Sequence, residues 1–193
     1  MEATREVLAG IAAEHWIEKP LKNFFNQPIA HTFGGAKDRL IKVDYDTFDR
    51  DGGDLRLDVK ASADYPNCLV EINHPAFNPR NMQAGQRAFV FPFRDREEIV
   101  VVRSKSWFHD ILESRARKLV YDKRSYYVVE PDFIFRTFHS PDDVYVIPTT
   151  ESFGSFFDRE FPGNPLEGMS EEEIKRYAEK TVRPLCINDD IPA

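Results

Sequence analysis

Alternating apolar and charged residues between Asp38 and Lys60 constrain the fold of this chain more than any other feature. Apolar side chains occupy every second position on both sides of a Gly-Gly turn, which predicts two half-buried strands joined as a hairpin. The predicted apolar faces are Ile41, Val43 and Tyr45 on the first strand, and Leu55, Leu57 and Val59 on the second. Because successive side chains point to opposite sides of a strand, the charged residues share the other face.

That charged face predicts a site for a divalent cation. Asp44 and Asp46 are expected to lie opposite Asp58 and Lys60. Carboxylates that converge on one point repel each other unless a cation joins them, and ligands that are all oxygen suit Mg²⁺ or Mn²⁺. The lysine can reach a phosphate or an attacking water bound to the same metal. The arrangement therefore favours metal-assisted hydrolysis of a phosphodiester bond.

Two other interpretations of the hairpin remain open from the residues alone. The charges could face water, with Asp44 or Asp46 simply paired with Lys60. The turn DTFDRDGGD also resembles a calcium loop, but it lacks the DxDxDG spacing with a terminal glutamate. The aspartates of that turn are better interpreted as turn residues.

Composition indicates one folded domain over residues 1–193, with 41% hydrophobic and 31% charged residues. There is no apolar run long enough to cross a membrane, and the acidic start is unlike a signal peptide, so we expect a cytoplasmic protein. Cys68 and Cys186 have no metal-binding spacing and are expected to be reduced. The net charge of -7 argues against an entirely anion-binding surface but leaves a local one possible.

Other patterns predict further elements along the chain. A helix is expected from a cap at Thr4 to Pro20, and another from a cap at Ser104 or Ser106. The predicted strands are 68–72, 87–93, 98–102 and 143–148, with a β-prone stretch at 126–138. The phenylalanine-rich segment 153–161 is predicted to be helical, and Ser170 with Glu173 forms a capping box for a helix that ends at Pro184.

The charged hairpin resembles the PD-(D/E)xK nuclease superfamily, which includes many restriction endonucleases and phage or repair nucleases. In that superfamily an acidic residue on one strand precedes Asp or Glu, any residue and Lys on the next. Here the second element is Asp58-Val59-Lys60, and no Pro-Asp precedes the hairpin. Asp44 is the preferred first ligand and Asp46 its rival, because the spacing from Asp38 to Asp44 before LDVKAS looks like phage-type members.

The resemblance implies an α/β (α+β) fold of the restriction-endonuclease type. Its αβββαβ core, a mixed central sheet flanked by helices, would cover about residues 1–125, with a C-terminal elaboration over about 126–193. Glu71 resembles an additional carboxylate that some members supply, and Glu14 matches a helix glutamate of others. Gln83 and Gln86 would help to orient the water or the substrate.

The implied function is that of a Mg²⁺- or Mn²⁺-dependent endonuclease acting on DNA, with RNA as a third possibility. Endonucleases that cut both strands are frequently two-fold dimers, which suggests a homodimer by analogy. The alternative is a catalytically inactive binding or regulatory protein on a nuclease-like scaffold. Between Arg103 and Arg124 a basic stretch with nearby tyrosines could contact phosphates or form a solvated helix face.

Overall fold

A computed structural model describes residues 3–32, 44–48, 52–77, 86–103, 106–121, 123–137 and 143–187. The first element is the long helix α1, Ala3–Phe25, whose apolar stripe faces the core. Pro20 was predicted to end this helix but lies inside it. Leu21 and Phe25 on the far side of the proline are buried, so their packing compensates for the backbone hydrogen bond that proline removes.

A mixed six-stranded sheet forms the centre of the molecule. Its strands are β1 (Ala30–His31), β2 (Tyr45–Phe48), β3 (Asp54–Val59), β5 (Gln86–Pro92), β6 (Glu98–Arg103) and β9 (Val144–Pro148), in that spatial order. β3 and β5 are parallel, and every other neighbouring pair is antiparallel. The prediction of a mixed α/β fold with a mixed central sheet between helices is confirmed.

A second, three-stranded sheet was not foreseen. Its order is β4 (Cys68–Glu71), β8 (Arg124–Val129) and β7 (Arg117–Tyr121), with antiparallel pairing throughout. The strand predicted at 68–72 therefore exists but does not lie beside the hairpin. The basic stretch is helix α2, Ser106–Arg115, followed by β7, and is not one helix face.

Residues after 125 contribute to both sheets and to the helical layer. The β-prone stretch 126–138 divides into the rest of β8 and the short helix α3, Pro131–Thr137. Helix α4, Phe153–Glu160, is confirmed, as is the Ser170–Glu173 capping box that begins α5, Glu171–Tyr177. Pro184 does not end the helical segment: a π-helical turn leads into α6, Arg183–Ile187, where the proline occupies the first turn.

The two faces of the central sheet are covered by different layers. One face packs against α1, α4 and the C-terminal helices, through residues such as Leu8, Ile17, Leu57 and Phe157. The other packs against α2, α3 and the inner face of the small sheet. None of the helices in the described part of the chain is long and apolar enough to cross a membrane. Cys68 and Cys186 are free, buried thiols, as predicted.

Candidate active site

The hairpin forms as the alternation requires, in a register that separates the two rival aspartates. Tyr45 pairs with Leu57, and Asp46 pairs with Arg56 one step nearer the turn. Asp44 comes directly before β2, and its backbone N–H donates to the Leu57 carbonyl at 2.9 Å. Asp44 thus lies across from Asp58, at the end of the hairpin away from the turn.

Asp44 and Asp58 are both buried, which is unusual for carboxylates. Asp44 Oδ2 accepts a hydrogen bond from the Val59 N–H at 2.6 Å. Burial, helped by the negative charges of Glu14 and Asp58, holds the pKa of Asp44 well above its usual range. The Asp44 carboxyl therefore holds a proton more readily than an exposed aspartate does.

Lys60 is the principal cation of this group. Its Nζ donates to Asp58 Oδ1, and the side chain is 20% exposed. Burial alone would lower the pKa of Lys60, but the charges of Asp58 and Asp44 outweigh it and the pKa is raised. The ammonium therefore stays charged beside two buried carboxylates.

His74, which sequence reasoning missed, holds the other oxygen of Asp58. Its Nε2 lies 2.6 Å from Asp58 Oδ2, and its ring packs edge-on to Phe89 with centroids 5.2 Å apart. Burial would raise the pKa of Asp58, yet Lys60 and His74 together bring it below the usual value. His74 lies after β4, where no periodic pattern marks it, so the sequence offered no signal.

Arg87 is a second missed residue. It pairs in register with Arg56 across β3 and β5, and it is buried. Burial lowers the pKa of the Arg87 guanidinium, against the charges of Asp58 and Asp44. The alternation of Arg87, Phe89 and Phe91 along β5 could have placed it on the Asp58 face once the parallel pairing was known.

Glu14 extends the acidic group from helix α1. Its carboxylate lies 2.9 Å from His31 Nε2, and its backbone carbonyl accepts from the Tyr45 hydroxyl. Its charge acts on both Asp44 and Lys60. The helix glutamate implied by the resemblance is therefore brought to the hairpin.

The remaining predicted residues lie elsewhere or outside the described part of the chain. Asp46 forms a 3.8 Å ion pair with Arg56. Glu71 ends β4 in the small sheet and forms a 2.9 Å ion pair with Arg124, so the structure does not bring it together with Asp44 and Asp58. Gln86 begins β5. Asp38, Ile41, Val43, Gln83 and Ser104 lie outside the described residues.

Carboxylate oxygens from two neighbouring strands, with a third from α1, are a donor set suited to Mg²⁺ or Mn²⁺. Within the described ranges, no three His, Cys, Asp or Glu side chains are already arranged around a common metal position. Comparison with family models, curated proteins and solved structures gives no match to this chain.

Proposed function

We propose that this protein is a metal-dependent nuclease that hydrolyses phosphodiester bonds in DNA. The observation that carries the proposal is the convergence of Asp44, at the start of one hairpin strand, with Asp58 and Lys60, at the end of the other. A buried pair of carboxylates beside one lysine is costly for stability and needs a compensating role.

The electrostatics of the cluster fit a divalent cation. Because the pKa of Asp44 is raised by burial and by Glu14 and Asp58, this carboxyl holds a proton more tightly than usual in the protein alone. A bound cation would displace that proton and neutralise the group. When bound, Mg²⁺ or Mn²⁺ would lower the pKa of the attacking water and stabilise charge on the phosphoryl group.

Each side chain of the cluster has its own role in this proposal. Asp44 and Asp58 hold the cation, and Lys60 places its positive charge at the phosphate or the water. Glu14 adds negative charge beside Asp44. His74 is a positioning residue, since it fixes the Asp58 oxygen that Lys60 does not contact. Asp46, paired with Arg56, is the less suitable first ligand.

The architecture supports a restriction-endonuclease-like core without depending on Glu71. A helix, α1, precedes the strands, and the motif strand β3 lies between antiparallel β2 and parallel β5 in a mixed sheet. The difference from the sequence-based expectation is that β4 leaves this sheet. We therefore propose Asp44, Asp58 and Lys60 as the catalytic set, with Glu14 replacing Glu71.

A cleavage assay tests the function. Plasmid, linear duplex, single-stranded DNA and RNA are incubated with the protein and Mn²⁺, Mg²⁺ or EDTA. We expect DNA cleavage only with metal, and a loss of about 100-fold or more for Lys60→Ala. Lys175→Ala, which removes a lysine from the surface pair with Glu171, is the matched control and retains activity. Full activity of folded Lys60→Ala with metal present would exclude this mechanism.

One observation favours a second candidate, a catalytically inactive binding or regulatory protein. Both Asp58 oxygens already have a close neighbour without a metal, since one accepts from Lys60 Nζ and the other lies 2.6 Å from His74 Nε2. Isothermal titration calorimetry separates the two candidates. The nuclease requires Mn²⁺ binding that Asp58→Asn removes, whereas heat changes indistinguishable from buffer in both proteins would support the binding protein.

A further inference from the structure

The outer face of the small sheet is unusually apolar and aromatic. Antiparallel sheets with one face on the core normally turn polar residues to the other side. Here the inner face carries Cys68, Val70 and Tyr127, which pack in the core. The outer face, read from the strand pairs, carries Leu69, Val128, Tyr126, Leu119 and Tyr121 between its charged positions.

This outer face forms one wall of a cleft of about 590 Å³. The opposite wall is the segment after β3, including Ser62, Tyr65 and Asn67. Tyr65 and Tyr121 are 51% and 38% exposed, which is high for aromatic side chains. Exposed aromatic and apolar side chains that line one concavity indicate a binding surface, because scattered ones would need no explanation.

Positive charge accompanies these aromatic residues. Five of the ten residues from Arg115 to Arg124 are basic and one is acidic, although the whole chain has a net charge of -7. Arg117 lines the cleft on the same face as Leu119 and Tyr121. Among the described residues that line the cleft, only Glu6 is acidic, and its oxygens accept hydrogen bonds from Ser62 and the Ala63 N–H. The cleft thus joins exposed aromatic rings to the Arg117 guanidinium, while Lys118 and Arg124 are paired with Glu113 and Glu71.

The cleft lies next to the proposed active site along the chain. Ala61 and Ser62, which directly follow Lys60, lie in its lining. Cys68 on β4 is close enough to Lys60 for the ammonium charge to act on its thiol, and Leu69 beside it faces the cleft. A chain bound in the cleft would therefore lie beside the segment that directly follows the motif strand.

We propose that the cleft binds single-stranded DNA, with unpaired bases stacked on Tyr121 and its neighbouring tyrosines and a phosphate held by Arg117. This assignment rests on the proposed nuclease function. Stacking on a protein ring requires a free base face, which duplex DNA covers with the adjacent base pair. The enzyme would then act on single strands, or on flaps and overhangs beside a duplex.

Fluorescence anisotropy tests the proposal in EDTA, where binding is separated from cleavage. The probes are a fluorescein-labelled 15-mer of thymidine, the same strand paired with its complement, and the corresponding uridine RNA. We expect the single DNA strand to bind best, and Tyr121→Ala to weaken it about tenfold while Tyr121→Phe retains it. Arg117→Ala weakens binding and reduces its salt dependence, whereas Arg176→Ala, at an exposed position on α5, does neither.

The following results would overturn the assignment of the cleft to single-stranded DNA. Equal or tighter binding of the duplex or of RNA, or unchanged binding by folded Tyr121→Ala, excludes a single-stranded DNA cleft. A dimer in sedimentation that Tyr121→Ala dissociates would assign this face to a second copy of the chain. Failure of the cleft proposal can be told apart from failure of the nuclease proposal. Metal-dependent cleavage that Lys60→Ala abolishes would still support the nuclease if the cleft did not bind single-stranded DNA. Specific binding of single-stranded DNA without cleavage in any metal would refute the nuclease proposal but not the binding cleft.

Discussion

The Asp44 carboxylate accepts a hydrogen bond from the Val59 backbone N–H, with 2.6 Å between Oδ2 and N. Val59 is the middle residue of the Asp58-Val59-Lys60 motif, so this bond fixes Asp44 against the motif itself. It explains why Asp44, and not Asp46, belongs to the cluster. It also locks the end of the hairpin where the described strand β2 begins.

Asp44→Asn is expected to stabilise the protein in EDTA at neutral pH. A carboxyl whose folded pKa is raised takes up a proton on folding, so its penalty increases as the pH rises above the unfolded value. Asparagine keeps an oxygen for the Val59 N–H and removes this penalty. We expect the free energy of unfolding in urea to rise by about 1 kcal/mol at pH 7.5, with a smaller gain at pH 4.5.

Mn²⁺ should reverse the order of stability of the wild-type protein and Asp44→Asn. Mn²⁺ should raise the melting temperature of the wild-type protein and leave that of Asp44→Asn unchanged, because ligand binding to the folded state adds stability. An equal rise in both proteins would show that Asp44 is not a metal ligand.

The Asp58–Lys60 pair should show strong coupling in a double-mutant cycle. Asp58→Asn leaves an ammonium without its carboxylate, and Lys60→Met leaves a buried carboxylate without its principal cation. We expect a coupling free energy of about 2 kcal/mol from urea unfolding. The surface pair of Glu171 and Lys175 provides the comparison and should couple by less than about 0.5 kcal/mol.

Acid should destabilise the protein through His15. Burial lowers the pKa of His15 to about 4, and the charge of His31 contributes to the shift. The unfolded chain protonates this histidine below about pH 6.5 and the folded chain does not, so stability falls as the pH drops from 6.5 to 4. His15→Gln should remove up to about 3 kcal/mol of the stability difference between pH 7 and pH 4. An unchanged pH dependence in urea unfolding would contradict this.

Glycine is required at position 154 because Arg94, on the β5–β6 turn, leaves no room for a side chain. A Cβ at this position would lie 2.5 Å from Arg94 Cγ and 2.6 Å from the Arg94 carbonyl oxygen. Gly154→Ala should therefore lower the free energy of unfolding by about 2 kcal/mol. Gly10→Ala is the matched control inside α1: a Cβ there would meet no atom within 4 Å, so alanine should stabilise by about 0.5–1 kcal/mol.

Elements that depend on neighbouring residues were predicted correctly from the sequence. The Ser170–Glu173 capping box and the apolar runs at 98–102 and 143–148 depend on neighbouring residues, and the predicted elements formed. Proline was the least dependable signal. Pro20 lies inside α1 because packing of the residues beyond it outweighs a missing hydrogen bond, whereas Pro184 is tolerated in the first turn of α6.

The period of two in the apolar residues predicted the hairpin, and the two-residue spacing placed Asp58 and Lys60 on one face. Only the tertiary structure decided which other groups join them. The strand ending at Glu71 entered a different sheet because β8, distant in sequence, offered it backbone partners. The parallel pairing of β3 with β5 placed Arg87 on the Asp58 face, and His74 reaches Asp58 from the segment after β4. The pairing of β4 with β8 created the tyrosine-lined cleft, whose walls come from segments that no local periodicity connects.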